Sequence, residues 1–205
     1  MDTKSIIMDT TEVAAVLAAR LRELRAARRL SLAELAKASG VSRSMISLLE
    51  RAESTASAVV LAKLAQALGV TLATLFEARA TATATAAPAA GPLQRVVDQP
   101  VWRDPASGYR RRNVSPPLPD LAVQIVEVNF PAGGRVAFDN DRRGAGVHQQ
   151  IWVLRGRMHV TVGKQRHRLA TGDCLAMQLD RPTMFHNPTR RAARYAVVLV
   201  PPRGA

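Results

Sequence analysis

The stretch ARATATATAAPAAGP, from Ala78 to Pro92, constrains this chain more than any other feature. It carries a single charge, no large apolar side chain and no apolar periodicity, so it has no face to give to a core. Alanine favours helix, but alternating threonines and two prolines oppose it. The stretch reads as a semi-flexible linker over 78–92. A chain of 205 residues broken in this way is expected to fold as two small units.

Before the break the apolar period is helical. A tail over 1–12 precedes Val13, Val16, Leu17, Leu21 and Leu24, whose spacing predicts a first helix over about 12–28. Ser31 followed by Glu34 is a capping box that opens a short second helix over about 32–38. Gly40 supplies a turn, and Ser42 caps a third helix over about 43–51. Leu61, Leu64, Ala65 and Leu68 form the stripe of a fourth helix, which Gly69 stops. Thr71 then caps a short fifth in TLATLF.

Residues 13–77 thus form a five-helix unit, and two short helices joined by a glycine turn make a helix-turn-helix core over 31–51. On the third helix Met45, Ile46 and Leu49 form the apolar side, while Ser42, Arg43, Ser44 and Ser47 lie toward the other. Small polar side chains and one arginine are what a major groove admits to its base edges. The free amides at a helix N-terminus hold a phosphate.

At this point the segment from Leu21 to Phe76 resembles the lambda-repressor-like (Xre-type) helix-turn-helix family. The resemblance rests on LRELRAARRLSLAELAKASGVSRSMISLLERAES and LAKLAQALGVTLATLF. It implies that the third helix is the recognition helix, that Arg43, Ser44 and Ser47 read bases, and that Ser42 and Arg51 hold phosphates. Glu50 would pair back to Arg22 or Arg25. Two positions depart from the pattern: Leu32 replaces a common Gln, which removes the expected phosphate contact of the second helix, and Ala52 replaces the usual Gly after Glu-Arg.

After the break the period changes to that of strands. LAVQIVEVNF, QIWVLRG, MHVTVGK, QRHRLATGDCLAM and RYAVVLV are short β-rich runs separated by Gly156, Gly163 and Gly172. Residues 93–203 are therefore expected to form an all-β sandwich or barrel. Most of the net charge of +13 also sits here: residues 93–205 hold 18 Lys and Arg against 8 Asp and Glu, and residues 1–78 hold 10 against 8. Such an excess suits a polyanion or an anionic ligand. RRRNV, DRRGAG and PTRRAAR are read as arginine clusters on loops.

HQQIWVLRGRMHVTVGKQRHRLATGDCLAM and DRPTMFHNPTRRAARYAVVLV resemble the cupin family, a jelly-roll β-barrel. Metal-binding members place a His-x-His pair, a Glu and a further His in these motifs. Here those positions fall on Arg143 and Ala145, Gln149, and Thr183, so the expectation is a metal-free barrel with no cofactor. Of the histidines, only His148 and His186 can converge, while the strand period puts His159 on a polar face with Arg157 and Thr161. No Ser-His-Asp arrangement or phosphate-cradling glycine loop appears, and Cys174 reads as a small buried side chain. No catalytic residue is assigned.

The same alternation puts His148, Gln150, Trp152 and Leu154 on one face of their strand. With His186, the first three are the residues assigned to a small-molecule pocket. The whole reads as an α + β chain of two domains: a five-helix DNA-binding unit, then a cupin β-barrel that dimerises and senses an effector. Its partner is double-stranded DNA with a palindromic operator. No run reaches the roughly 20 apolar residues of a membrane span, and a single cysteine suits a reducing compartment, so the expected place is the cytoplasm. The competing reading is a metal-dependent cupin isomerase or dioxygenase carrying a DNA-binding domain.

Overall fold

The computed structural model describes residues 10–76, 91–118, 121–140 and 146–200. Most of the expected tail and nearly all of the expected linker lie outside the described residues, as do Arg143 and Ala145.

Four α-helices come first: α1 (Thr10–Ala27), α2 (Leu32–Ser39), α3 (Arg43–Glu50) and α4 (Ala58–Ala67). The signals that set them are local. Val13, Leu17, Leu21 and Leu24 are buried along one stripe of α1. Ser31 Oγ accepts the Glu34 N–H and Glu34 Oε2 accepts the Ser31 N–H, so both halves of the capping box form. Gly40 ends α2 in the left-handed region at φ 67° and returns its N–H to the Ala36 carbonyl, where a Cβ would be strained. Ser42 and Ser57 accept the Met45 and Val60 amides and open α3 and α4. The expected fifth helix is instead a single 3₁₀ turn, Thr74–Phe76. Six residues cannot recover the cost of a helical nucleus; the turn is held by the Thr71 hydroxyl, which accepts the Thr74 N–H, and by burial of Leu75 and Phe76.

The β-rich unit comprises β1 (Val101–Arg103), β2 (Arg110–Asn113), β3 (Gln124–Phe130), β4 (Arg135–Phe138), β5 (His148–Arg155), β6 (Arg157–Val162), β7 (Gln165–Ala170), β8 (Cys174–Gln178), β9 (Thr183–His186) and β10 (Ala193–Val200). They form a six-stranded sheet, ordered β1-β2-β3-β10-β5-β8, and a four-stranded sheet, ordered β4-β9-β6-β7. Among the described residues the sheets do not join into a closed barrel, so the unit is a two-sheet sandwich. Gly156, at φ 90°, turns β5 into β6; a Cβ there would stand 3.1 Å from the Ala193 Cα.

The two units pack directly on each other, a contact that linker composition does not reveal. The backbone N–H of Ala58, at the start of α4, donates to Asp104 Oδ1 at 2.9 Å. The Thr71 hydroxyl donates to Gln124 Oε1 at 2.8 Å, and Asn113 Nδ2 donates to the Ala73 carbonyl. Phe76 of the 3₁₀ turn meets Trp102 with ring centroids 5.4 Å apart. From there the rings run on through Tyr109, Phe130, Tyr195 and Phe185 to Phe138, with steps of 5.6 to 6.2 Å. Seven of the chain's eight aromatic residues lie in this row. Edge-to-face and offset ring pairs add roughly 0.5–1.5 kcal/mol each beyond area burial.

Candidate functional site

Among the described residues two places carry chemistry: the outer side of α3 and a cavity in the sandwich that α4 helps to close.

On α3, Ile46 and Leu49 are buried against α1 and α2, and Met45 packs at their edge. The 3.6-residue period then turns Ser42, Arg43 and Ser44 to solvent, with Ser47 half-buried beside them. Arg51 is exposed and donates to the Ser47 hydroxyl at 2.5 Å and to Glu53 Oε2 at 2.8 Å. Ser42 and Ser44 hydroxyls lie 3.2 Å apart. These five polar side chains share one outer surface. The helix is fixed from behind by Glu50, which is buried and receives Arg25 through Nε at 2.6 Å and Nη2 at 2.8 Å. Arg22 donates to the Glu50 carbonyl at 2.6 Å. Both arginines expected as alternatives for Glu50 are therefore engaged, one on its side chain and one on its backbone. A bidentate pair of this kind is strong and geometrically specific.

The cavity, about 300 Å³, lies between the inner faces of the sandwich and is closed on one side by α4 and the residues after it. Ala62, Ala65 and Gln66 of α4 and Val70 to Leu72 line it, as do Val128, Phe130, Val136, Phe138, Phe185 and Leu199 of the sheets. Its polar lining includes Tyr109, Arg111, Gln149, Thr183 and Tyr195. Tyr109 and Tyr195 are both buried, which pushes their phenols up and keeps them neutral.

Several expectations change here. His148, Gln150 and Trp152 point away from the cavity, and Trp152 is 50% exposed. The inward face of β5 is the alternate one, Gln149, Ile151 and Val153, because two β-branched side chains outweigh one indole for burial. His148 and His186 do not converge, since they lie on the outer faces of different sheets. His186 instead meets His159, their ring centroids 5.9 Å apart, in a row that crosses the four-stranded sheet from Arg135 to Arg168. Cys174 is exposed rather than buried, with its thiol against Gln150. Arg110–Asn113, read as a loop, is strand β2, and Arg111 faces inward with only 6% of its surface exposed. The alternation Tyr109, Arg111, Asn113 against Arg110, Arg112 was the available signal.

The described lining residues at the expected metal positions are poor ligands for a divalent metal. Gln149 and Thr183 offer a neutral amide and a hydroxyl, and the Thr183 hydroxyl already accepts a hydrogen bond from Asn140. Among the described residues no three His, Cys, Asp or Glu side chains are grouped to hold one.

Known proteins place the helical unit. A family model described as Helix-turn-helix (HTH_3) matches residues 21–75. No curated protein sequence matches the chain. Among solved structures, an HTH_3 family transcriptional regulator from Vibrio cholerae superposes with a TM-score of 0.72 over 95% of this chain and 99% of that one, at 23% identity, which establishes a shared fold across both units. The cupin domain of an XRE family transcriptional regulator from Enterobacter cloacae gives 0.43 at 16% identity, over 46% of this chain and 98% of that one. Hydroxypropylphosphonic acid epoxidase from S. wedmorenis gives 0.44 at 16%, over 92% and 98%. The helix-turn-helix family model thus covers the segment that contains α2, α3 and α4.

Proposed function

We propose that the protein is a sequence-specific DNA-binding transcriptional regulator. The observation that carries this reading is α3: its polar side is turned outward as one surface while Arg25 and Arg22 clamp its far end through Glu50. In this reading α3 enters the major groove, Arg43, Ser44 and Ser47 contact base edges, and Ser42 and Arg51 hold phosphates. Arg51 exchanges its contacts with Ser47 and Glu53 for a phosphate on binding. Residues 13–77 act as the DNA-binding domain, 78–92 as the linker, and 93–203 as the sensing and dimerisation domain.

Two copies meet a palindromic operator, which doubles the phosphate contacts of a helical unit with little net charge of its own. Dimerisation is assigned to the outer face of the six-stranded sheet, where exposed Trp152 and Ile125 flank the half-buried Val198. The protein acts where DNA lies, in the cytoplasm; among the described residues no helix is long and apolar enough to cross a membrane. The cavity takes an effector, and catalysis has no part in this reading because the metal-ligand positions of a cupin enzyme hold Gln149 and Thr183. Selection of bound DNA from a random pool tests the proposal: a recurrent two-fold sequence is expected, and an unenriched pool would overturn it.

A further inference from the structure

The cavity contains an unmatched cation. Arg111 is more than nine-tenths buried and lines it. Its Nε and Nη2 are buried without a hydrogen-bond partner. Among the described residues the titratable groups that bear on it in this pocket are Tyr109 and Tyr195, both neutral phenols, and burial lowers its own pKa from the usual value. Guanidinium nonetheless stays protonated. The neighbouring Arg112 has its carboxylate, Glu127, at 2.9 Å on the opposite face of the sheet. Arg111 has none.

Which two atoms lack partners is informative. Nε and Nη2 form one edge of the guanidinium, with two parallel N–H bonds. Arg25 uses that same edge to hold the carboxylate of Glu50 at 2.6 and 2.8 Å. The fold thus contains its own example of the ion that fits this edge. Water would satisfy the N–H groups but not the buried charge, which is costly unless paired. One guanidinium balances one negative charge; a dianion would bring a second charge into the cavity with no second cation among the described lining residues to meet it. Beside the polar Asn140, Gln149 and Thr183, the wall from Val128, Val136, Phe138, Phe185 and Leu199 suits a hydrocarbon body. A volume of 300 Å³ is on the order of ten water molecules in liquid volume.

We propose that this cavity is a binding site for a small monocarboxylate with an apolar body, its carboxylate held side-on by Nε and Nη2 of Arg111. The body lies against the wall that α4 and Val70 to Leu72 complete, so the ligand touches the helical unit as well as the sandwich. This assignment deepens the regulator reading, and its test involves no DNA. A failed test therefore leaves DNA binding standing, and a failed DNA selection leaves the cavity assignment standing.

The full chain is melted with hexanoate, octanoate, benzoate or phenylacetate, and in parallel with the matching primary amides. At a hundredfold excess over Kd at least one carboxylate raises the Tm by roughly 5–10 °C, and its amide does not. Arg111→Met, which keeps a long apolar stem and removes the charge, abolishes the rise. Without ligand the same variant melts at or above the wild type, because an unpaired buried charge has gone. An Arg111 with only a structural role would instead lower the Tm when replaced. The proposal is overturned if no carboxylate shifts the Tm, if amides shift it equally, or if Arg111→Met keeps the shift.

Discussion

The carboxylate of Asp104, in the sandwich, accepts the backbone N–H of Ala58, the first residue of α4, at 2.9 Å. Asp104 is 2% exposed and also receives the Ser107 N–H and hydroxyl. It thus closes the β1–β2 turn and supplies negative charge to a helix N-terminus of the other unit, where the backbone dipole favours it. Hydrogen bonds to a charged group contribute about 1.5–3 kcal/mol each. Asp104→Ala is expected to cost about 3 kcal/mol, or some 6–12 °C in Tm for a chain of this size. Asp104→Asn, which keeps the shape, should lose less. An unchanged melting curve for Asp104→Ala would contradict the inter-unit role.

The Arg25–Glu50 pair anchors α3, with side chains 19% and 8% exposed. Removing one partner strands a largely buried charge, so Arg25→Ala should cost about 3 kcal/mol, at the low end for buried pairs because Arg25 is partly solvated. Lysine has a point charge and cannot reproduce the two-bond fork, so Arg25→Lys should recover only part of the loss. Urea midpoints of the two variants check the order; full recovery by lysine would show that charge alone matters.

Ala52 stands in the left-handed region at φ 57°, where the family resemblance expects glycine. A Cβ there costs about 1–2 kcal/mol, part of which glycine returns as unfolded-chain entropy. Ala52→Gly should therefore stabilise the protein by about 0.5–1 kcal/mol. Equal or lower stability in denaturant titration would show that the strain is absent.

His159 and His186 share the outer face of the four-stranded sheet with Arg135, Arg166 and Arg168. Burial, and then repulsion from those arginines, lowers both imidazoles from the usual 6.5. The unfolded chain therefore binds these protons near 6.5 while the folded protein binds them only at lower pH. Stability contributed by the neutral rings is complete above about 6.5 and is lost as the pH falls through the lowered folded values. A double His159→Gln, His186→Gln variant should show a flatter stability profile on the acid side of 6.5. A profile with the wild-type slope would remove these two groups as its source.

The helical unit was legible because its determinants are local. Ser31 with Glu34, Gly40, Ser42 and the Leu17–Leu21–Leu24 stripe each act within a few residues, and a short range is what sequence spacing reports. The sandwich was legible as strands but not as faces. On β5 both alternating sets mix polar and apolar residues, so Trp152 drew the reading to the outer side while Ile151 and Val153 decided burial. Arg111 was hidden for a related reason: three consecutive arginines resemble a solvated loop, and only the pairing of β2 with β1 and β3 turns the middle one inward. The contact of Asp104 with Ala58, separated by 46 positions, has no local signal at all.

Fluorescence anisotropy with DNA selected from a random pool, at one fixed salt concentration, tests the central claim most directly. Arg43→Ala and Ser47→Ala change exposed or half-exposed side chains of α3 and should leave the Tm close to wild type. Each lost base contact is expected to weaken binding by roughly 1–3 kcal/mol, that is about 5- to 150-fold. Wild-type affinity in both variants would contradict the assignment of α3 as the DNA-reading helix.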